Sequence, residues 1–454
     1  MVKIRQSLFS HQTNQPCDSH FNLENPSDIE RLAWESGYYR QEAKKISGSS
    51  LVLGFFNMMG LGLNTLSAWC VEIGLMGKCA MYKSSLHERL DSRTLSFVQA
   101  ILQQTMALRV KQSYAKQGGV KPGVNSLLKH FGNVLLCDST CAKLPSNLAA
   151  YFPSSYSHGE PTATLRVQTI YNYRNEQFER FKIGSFRNND QSESNLILEV
   201  AQAGDLVLRD LGYFVLENLR KMTNMGIFFI SKFRPDTTVY AALSGEKIDL
   251  LAQLKKKNRL DMPVLIGSKE KVSLRLVAEK LPEEVARNKR QKARADRNKK
   301  TNHSEQYYEL LGWVVFVTNI EDKTLDAKQI AEVYRIRWFI EIIFKAWKSH
   351  FNFTKVFEKQ KMNYWRAHIT IVLVLIRIAY WSLEVYRYIK NGVAKLTDRS
   401  VSILKYFGVL NLLSCQISTI RHLEELDPLI PQFAIHATYD RRKNRQNFKE
   451  RYKC

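Results

Sequence analysis

Short apolar runs that stop abruptly at a polar residue alternate along this chain with longer stretches of helical period. Runs rich in β-branched and aromatic residues predict strands near Val134 to Cys137, Leu165 to Tyr173, Phe178 to Gly184, Leu206 to Leu208 and Ile227 to Ser231, with another at Trp313 to Asn319. Residues about 1 to 125 read as helical, over Asp28 to Lys45, Leu51 to Ile73 and Ser84 to Val110, with glycine-containing breaks between. A helix is also predicted over 329 to 349, and helix-like character over Tyr213 to Met222. Ile369 to Trp381 is apolar over about 13 residues around Arg377, shorter than the roughly 20 needed to cross a bilayer, and reads as a core helix. The pattern as a whole predicts an α/β protein.

The stretch Tyr334 to Lys348 departs from the usual surface helix. At about 100° per residue, Tyr334, Arg337, Glu341 and Lys348 fall in a stripe roughly 60° wide. Phe339, Ile340, Ile342, Ile343, Phe344, Ala346 and Trp347 fill most of the remaining circumference. A helix buried on most sides thus shows one row of a phenol, two cations and a carboxylate, suited to holding a metal beside a phosphate. The same row also reads as a salt-bridged stripe, since Arg337–Glu341 and Glu341–Lys345 are i,i+4 pairs.

Two further carboxylates follow strand-like runs. Asp138 ends the run Val134 to Cys137 before Ser139, Thr140 and Pro145, and Asp210 follows Leu206 to Leu208 just before Gly212. Each alone is more often a turn former or helix cap. Asp205 competes with Asp210 but stands at the entry of its strand. Three carboxylates from two strand ends and a helix would suit two Mg²⁺ ions, which prefer oxygen ligands and, about 3.5–4 Å apart, can promote phosphodiester cleavage or transfer.

These residues resemble the bacterial insertion-sequence transposases with an RNase H-like core, an Asp-Asp-Glu triad and a Tyr-Arg-Glu-Lys signature. That signature spaces its residues by two, three and six positions, as do Tyr334, Arg337, Glu341 and Lys348. VLLCDST, RDLGYF, WVVFVTN, the Arg337–Trp338 and Phe344–Lys345 pairs and Trp347 are similar to the family too, and the likeness extends over about 30 to 390. The resemblance implies that Asp138, Asp210 and Glu341 are catalytic and hold two Mg²⁺ ions, with Mn²⁺ able to substitute. It implies phosphate contacts from Tyr334, Arg337 and Lys348, to which a guanidinium fork is well suited. A hairpin step is implied as well, with Trp313, 21 positions before Tyr334, stacking on a flipped base. A ring within the core is the competing reading of Trp313.

The expected organisation is a helical end-binding domain over 1–125, an RNase H-like mixed-sheet core over 126–232 and 313–390, a β-rich insertion over 233–312, and a helical C-terminal region with a basic tail over 391–454. The insertion follows from spacing. Asp138 and Asp210 are 72 positions apart, Asp210 and Glu341 131, more than a minimal core needs. Within it, Ser273 to Glu279 reads as a strand, and Ala286 to Lys300 carries eight Lys or Arg against one Asp, a run read as a DNA-backbone contact or a solvated face.

A net +24 and a pI near 9.6 over 454 residues favour a polyanionic partner; the resemblance implies that this is transposon-end and target DNA held by a homodimer, and no membrane and no nucleotide cofactor are expected. No glycine-rich phosphate loop and no internal repeat is visible. Lys83 to Leu90 could read a DNA groove, or belong to a bundle without DNA contact, and Arg441 to Cys454 has seven basic residues and one acidic. Seven scattered cysteines suggest no disulfide framework. A reducing cytoplasm is expected, with the nucleoid when DNA is bound, and Cys137 and Cys141 as packing residues. The expected activity is cut-and-paste transposition. A repurposed transposase that only binds DNA, and a metal-dependent nuclease that cuts without joining, are the rivals.

Overall fold

The computed structural model describes residues 21–439 apart from 22, 24, 42–45, 108–123, 158, 296–303, 359–360 and 414–422. The basic tail at Arg441 to Cys454 and the end of the basic run, 296–300, lie outside the described residues. Among the described residues ten strands form one mixed sheet: β1 (Val134–Leu144), β2 (Pro153–Ser157), β3 (Glu160–Asn172), β4 (Gln177–Ser185), β5 (Leu206–Arg209), β6 (Phe228–Lys232), β7 (Val239–Ala241), β8 (Arg259–Ile266), β9 (Val272–Lys280) and β10 (Trp313–Thr318). Their order is β2-β3-β1-β5-β6-β10-β9-β8-β7, with β4 on β3. The strands β1, β5 and β6 are parallel, β3 pairs antiparallel with β1, and β4 pairs antiparallel with β3. Three antiparallel strands followed by two parallel ones make the RNase H-like α/β core expected from the chain.

The first strand corrects one expectation. Asp138 does not end it, because β3 continues the antiparallel pairing from Leu135–Asn172 to Leu144–Ala163. What ends near Asp138 is the pairing with β5, whose last partners are Cys137 and Arg209. In the β-rich insertion, β10 pairs with β6 on one side and β9 on the other, so β7 to β9 extend the core sheet. Of the basic run, the first ten residues lie in a helix, Glu283–Ala295.

Strand alternation divides the interior in two. Val134, Leu136, Leu206, Leu208, Ile230 and Phe316 face one core, and Leu135, Cys137, Val207, Phe229 and Val317 the other. The first core includes the helix Trp338–His350 and the N-terminal helices, which dock through Ser92–Ala107 onto Tyr364–Tyr380. The N-terminal part has five helices among its described residues, where three were expected. Gly37 (φ 74°) follows the first, Gly62 (φ 72°) breaks the second stretch, and Asp91 caps a new helix by accepting from the backbone N–H of Arg93 and Thr94. Tyr364–Tyr380 is almost wholly buried, and among the described residues no helix is long and apolar enough to cross a membrane.

Candidate active site

The parallel register aligns Cys137 with Arg209 and Arg209 with Ser231. Asp138, Asp210 and Lys232 therefore come next on three neighbouring strands, about 4.8 Å apart from strand to strand. Alternation puts Asp138 and Asp210 on the face covered by the helix that carries Glu341. That helix is not one piece, as the stripe suggested. Ala327–Tyr334, opened by an Asp326–Gln329 capping box, is joined to Trp338–His350 through a tight turn, Arg335–Arg337. The turn keeps Tyr334, Arg337 and Glu341 on the sheet side.

Arg337 is 6% exposed and reaches two of the carboxylates. Its guanidinium lies 2.6 Å from Glu341 Oε1 and 3.5 Å from Asp138 Oδ2. Asp138 also accepts from the Ser139 backbone N–H at 2.8 Å. Burial pushes the Asp138 carboxyl up to about 7, with Glu341 and Asp190 adding to the rise and Ser139 and Arg337 opposing it. Burial acts on Asp210 in the same direction, but Lys232 and Arg337 outweigh it and hold that carboxyl below its ordinary value. The Lys232 ammonium is 3.4 Å from Asp210 Oδ1, and the Tyr334 hydroxyl donates to the Arg209 carbonyl at 3.1 Å and lies 3.5 Å from Asp210.

Tyr334, Arg337, Asp138, Asp210 and Glu341 are thus brought together. Lys348 is exposed, a little under two turns beyond Glu341. Asp205 is 3% exposed at the opposite end of β5, where it accepts from Asn133 and from the Gln202 backbone. That is a structural role. Trp313 is directed elsewhere: with Val315 and Val317 it faces the second core, whereas Phe316 packs on Tyr334 with ring centroids 4.8 Å apart. Its indole N–H is enclosed without a hydrogen-bond partner.

Lys232 and Asp190 were not anticipated from the sequence, and Trp338 entered only through the family likeness. Lys232 ends β6, and applying the strand-end argument to a third strand would have found it. Trp338, next to Arg337, is 55% exposed. Asp190 accepts from Ser139 behind the sheet, 51 positions away, a pairing no local pattern reveals.

Among the described residues no three His, Cys, Asp or Glu side chains are grouped closely enough to hold a metal ion. The donor set nevertheless has the right chemistry, carboxylate oxygens of the kind hard divalent cations prefer, and Asp138 and Glu341 already converge on a cation, the Arg337 guanidinium.

Residues 129–376 match the transposase DDE domain. The chain is 28% identical over 347 residues to the transposase for insertion sequence element IS231B of Bacillus thuringiensis subsp. berliner, covering 72% of this chain and 71% of that one. It is 23% identical over 407 residues to the IS1151 transposase of Clostridium perfringens, covering 85% and 83%. A solved piggyBac transposase synaptic complex with hairpin DNA aligns at a TM-score of 0.43 and 10% identity over 90% of this chain and 83% of that one, too remote to bear on its chemistry. The family match alone spans more than half of the chain, which therefore belongs to the DDE-domain transposases, enzymes that act on DNA with the help of a divalent metal.

Proposed function

We propose that this transposase binds the inverted-repeat ends of its own mobile element and moves it by cut-and-paste, with Asp138, Asp210 and Glu341 as the metal-binding triad. The convergence of Asp138 and Glu341 on one cation, one strand away from Asp210, is the observation that carries this reading. The three carboxylates would hold two Mg²⁺ ions, replaceable by Mn²⁺, which activate the attacking oxygen and stabilise the leaving one. Around them, Arg337 holds two carboxylates in register from inside the protein, Tyr334 anchors the Asp210 turn, and Lys232 is poised beside Asp210. Two protomers would pair the two ends, and Lys348 and the basic helix Glu283–Ala295 would follow the DNA backbone.

The direct test is cleavage and strand transfer on a fragment carrying the element's own ends with Mg²⁺, beside an Asp138→Asn control. Joined products that vanish in the control support the proposal. Binding without cutting would point to a repurposed DNA-binding protein, and cutting without joining to a nuclease.

Lys348→Ala should weaken end binding at low salt and reduce the slope of log affinity against log salt by about one unit, the signature of one lost phosphate contact. A slope equal to wild type would remove Lys348 from the DNA interface.

For a hairpin step with a flipped base, stacking needs an exposed face, which favours Trp338, 55% exposed beside Arg337, over Trp313, half-buried against the second core. Base stacking on an aromatic ring is worth about 1–3 kcal/mol. Trp338→Ala should accumulate ends nicked on one strand, whereas Trp313→Ala should lower the melting temperature. The opposite pattern in a denaturing gel would return the stacking role to Trp313.

A further inference from the structure

Asp190 lies behind the sheet in the segment after β4, and its Oδ1 gathers three donors: Ser139 Oγ at 2.7 Å, Gln168 Nε2 at 2.9 Å and Arg166 Nη1 at 3.3 Å. Two of these links lead towards the site. Ser139 follows Asp138 directly, and its backbone N–H holds Asp138 Oδ1. Gln168 is 3% exposed and accepts through Oε1 from the hydroxyl of Tyr213, which closes the turn after Asp210. The same turn also meets Asp190 directly, since a Cβ added at Gly212 would stand 3.2 Å from Asp190 Oδ2. One carboxylate therefore touches the residue after the first aspartate and the turn after the second.

We propose that Asp190 is a positioning residue for the reaction, clasping the Asp138 strand and the Asp210 turn from the far face of the sheet and so fixing the separation of the two aspartates. Two-ion chemistry needs cations about 3.5–4 Å apart, and a displacement of about 1 Å from a productive geometry can cost about 10²-fold in rate. The parallel pairing of β1 and β5 ends at Cys137 and Arg209, so beyond that point backbone hydrogen bonding no longer holds the two aspartates in register. Asp190 supplies the missing cross-link. This inference rests on the triad reading above.

The test uses full-length protein with end DNA. Mg²⁺ is titrated in the cleavage assay, and Mn²⁺ binding to the DNA-bound protein is followed by electron paramagnetic resonance. Residues that orient metal ligands typically contribute about 10–100-fold in metal affinity or activity. Asp190→Ala is expected to raise the Mg²⁺ concentration for half-maximal cleavage about tenfold or more and to weaken Mn²⁺ binding in parallel, with end-DNA affinity near wild type. Asp190→Asn, which keeps an acceptor for Ser139, should recover part of the loss, and Ser139→Ala should move both readouts in the same direction as Asp190→Ala. If the alanine variant does not fold, Asp190→Asn and Ser139→Ala carry the test. Wild-type metal responses in these variants, or a drop in melting temperature alone, would overturn the positioning role. Absence of metal-dependent cleavage in the wild-type protein would instead overturn the triad reading.

Discussion

Glu341→Gln is expected to abolish cleavage of element ends, by about 10³-fold or more, while the protein stays folded and bound to DNA. The size follows from the stabilisation of developing charge by a bound metal, worth several kcal/mol, each 1.36 kcal/mol being about tenfold in rate. Stability should fall by about 3 kcal/mol at most. The Glu341 side chain is one-third exposed and its partner Arg337 only 7%, but the glutamine keeps a carbonyl oxygen to which the guanidinium can donate. The buried Arg337 also retains Asp138 as a partner. Gel-shift binding, a thermal melt and a cleavage assay on the same preparation separate the outcomes: a glutamine variant that cuts at the wild-type rate would remove Glu341 from the triad.

The second large effect concerns stability. Trp347 is fully buried, and its ring lies within 5.1–5.9 Å of Phe344, Phe178, Phe181 and Phe353 by centroid. Phe178 and Phe181 belong to β4, so this tryptophan ties the glutamate helix to the sheet at the helix's far end. Trp347→Ala should cost about 3–5 kcal/mol, the usual range for emptying a large aromatic site, and cleavage should fall as the helix loosens. Trp347→Phe should cost far less. The indole N–H has no hydrogen-bond partner, so its loss removes a desolvated donor that weighs about 1–3 kcal/mol against the folded state and offsets part of the smaller ring's cavity. Equal destabilisation by both substitutions in chemical denaturation would show that the anchor is not the apolar ring.

What the sequence made legible was whatever local spacing can encode. Arg337 and Glu341 stand in one row because helical period places them there, and the apolar runs before Asp138 and Asp210 announced the two central parallel strands. The onward course of β1 past Asp138 was not legible, because its partner β3 lies in a later segment and only sheet pairing reveals the continuation. Lys232 and Asp190 reach the site through strand order, 22 and 51 positions from Asp210 and Ser139. The facing of Trp313 was available from alternation alone: Trp313, Val315 and Val317 share one side, Val314 and Phe316 the other. The row around Arg337 read as suited to a metal beside a phosphate, and the family likeness gave its guanidinium to a phosphate. Burial in a two-part helix instead turns that guanidinium towards its own carboxylates.

The bridge made by Arg337 also bears on how the protein can be handled. A site whose acidic members are neutralised from within does not need an ion to assemble, unlike a small zinc domain whose fold is lost with its metal. Chelation should therefore switch this enzyme off without unfolding it. Melting curves with and without EDTA should coincide, and activity should return in full when Mg²⁺ is restored. A large fall in melting temperature on chelation would show that the internal guanidinium is no substitute. If the curves coincide, protein and DNA ends can be brought together in EDTA and the reaction started at a chosen moment by the ion alone.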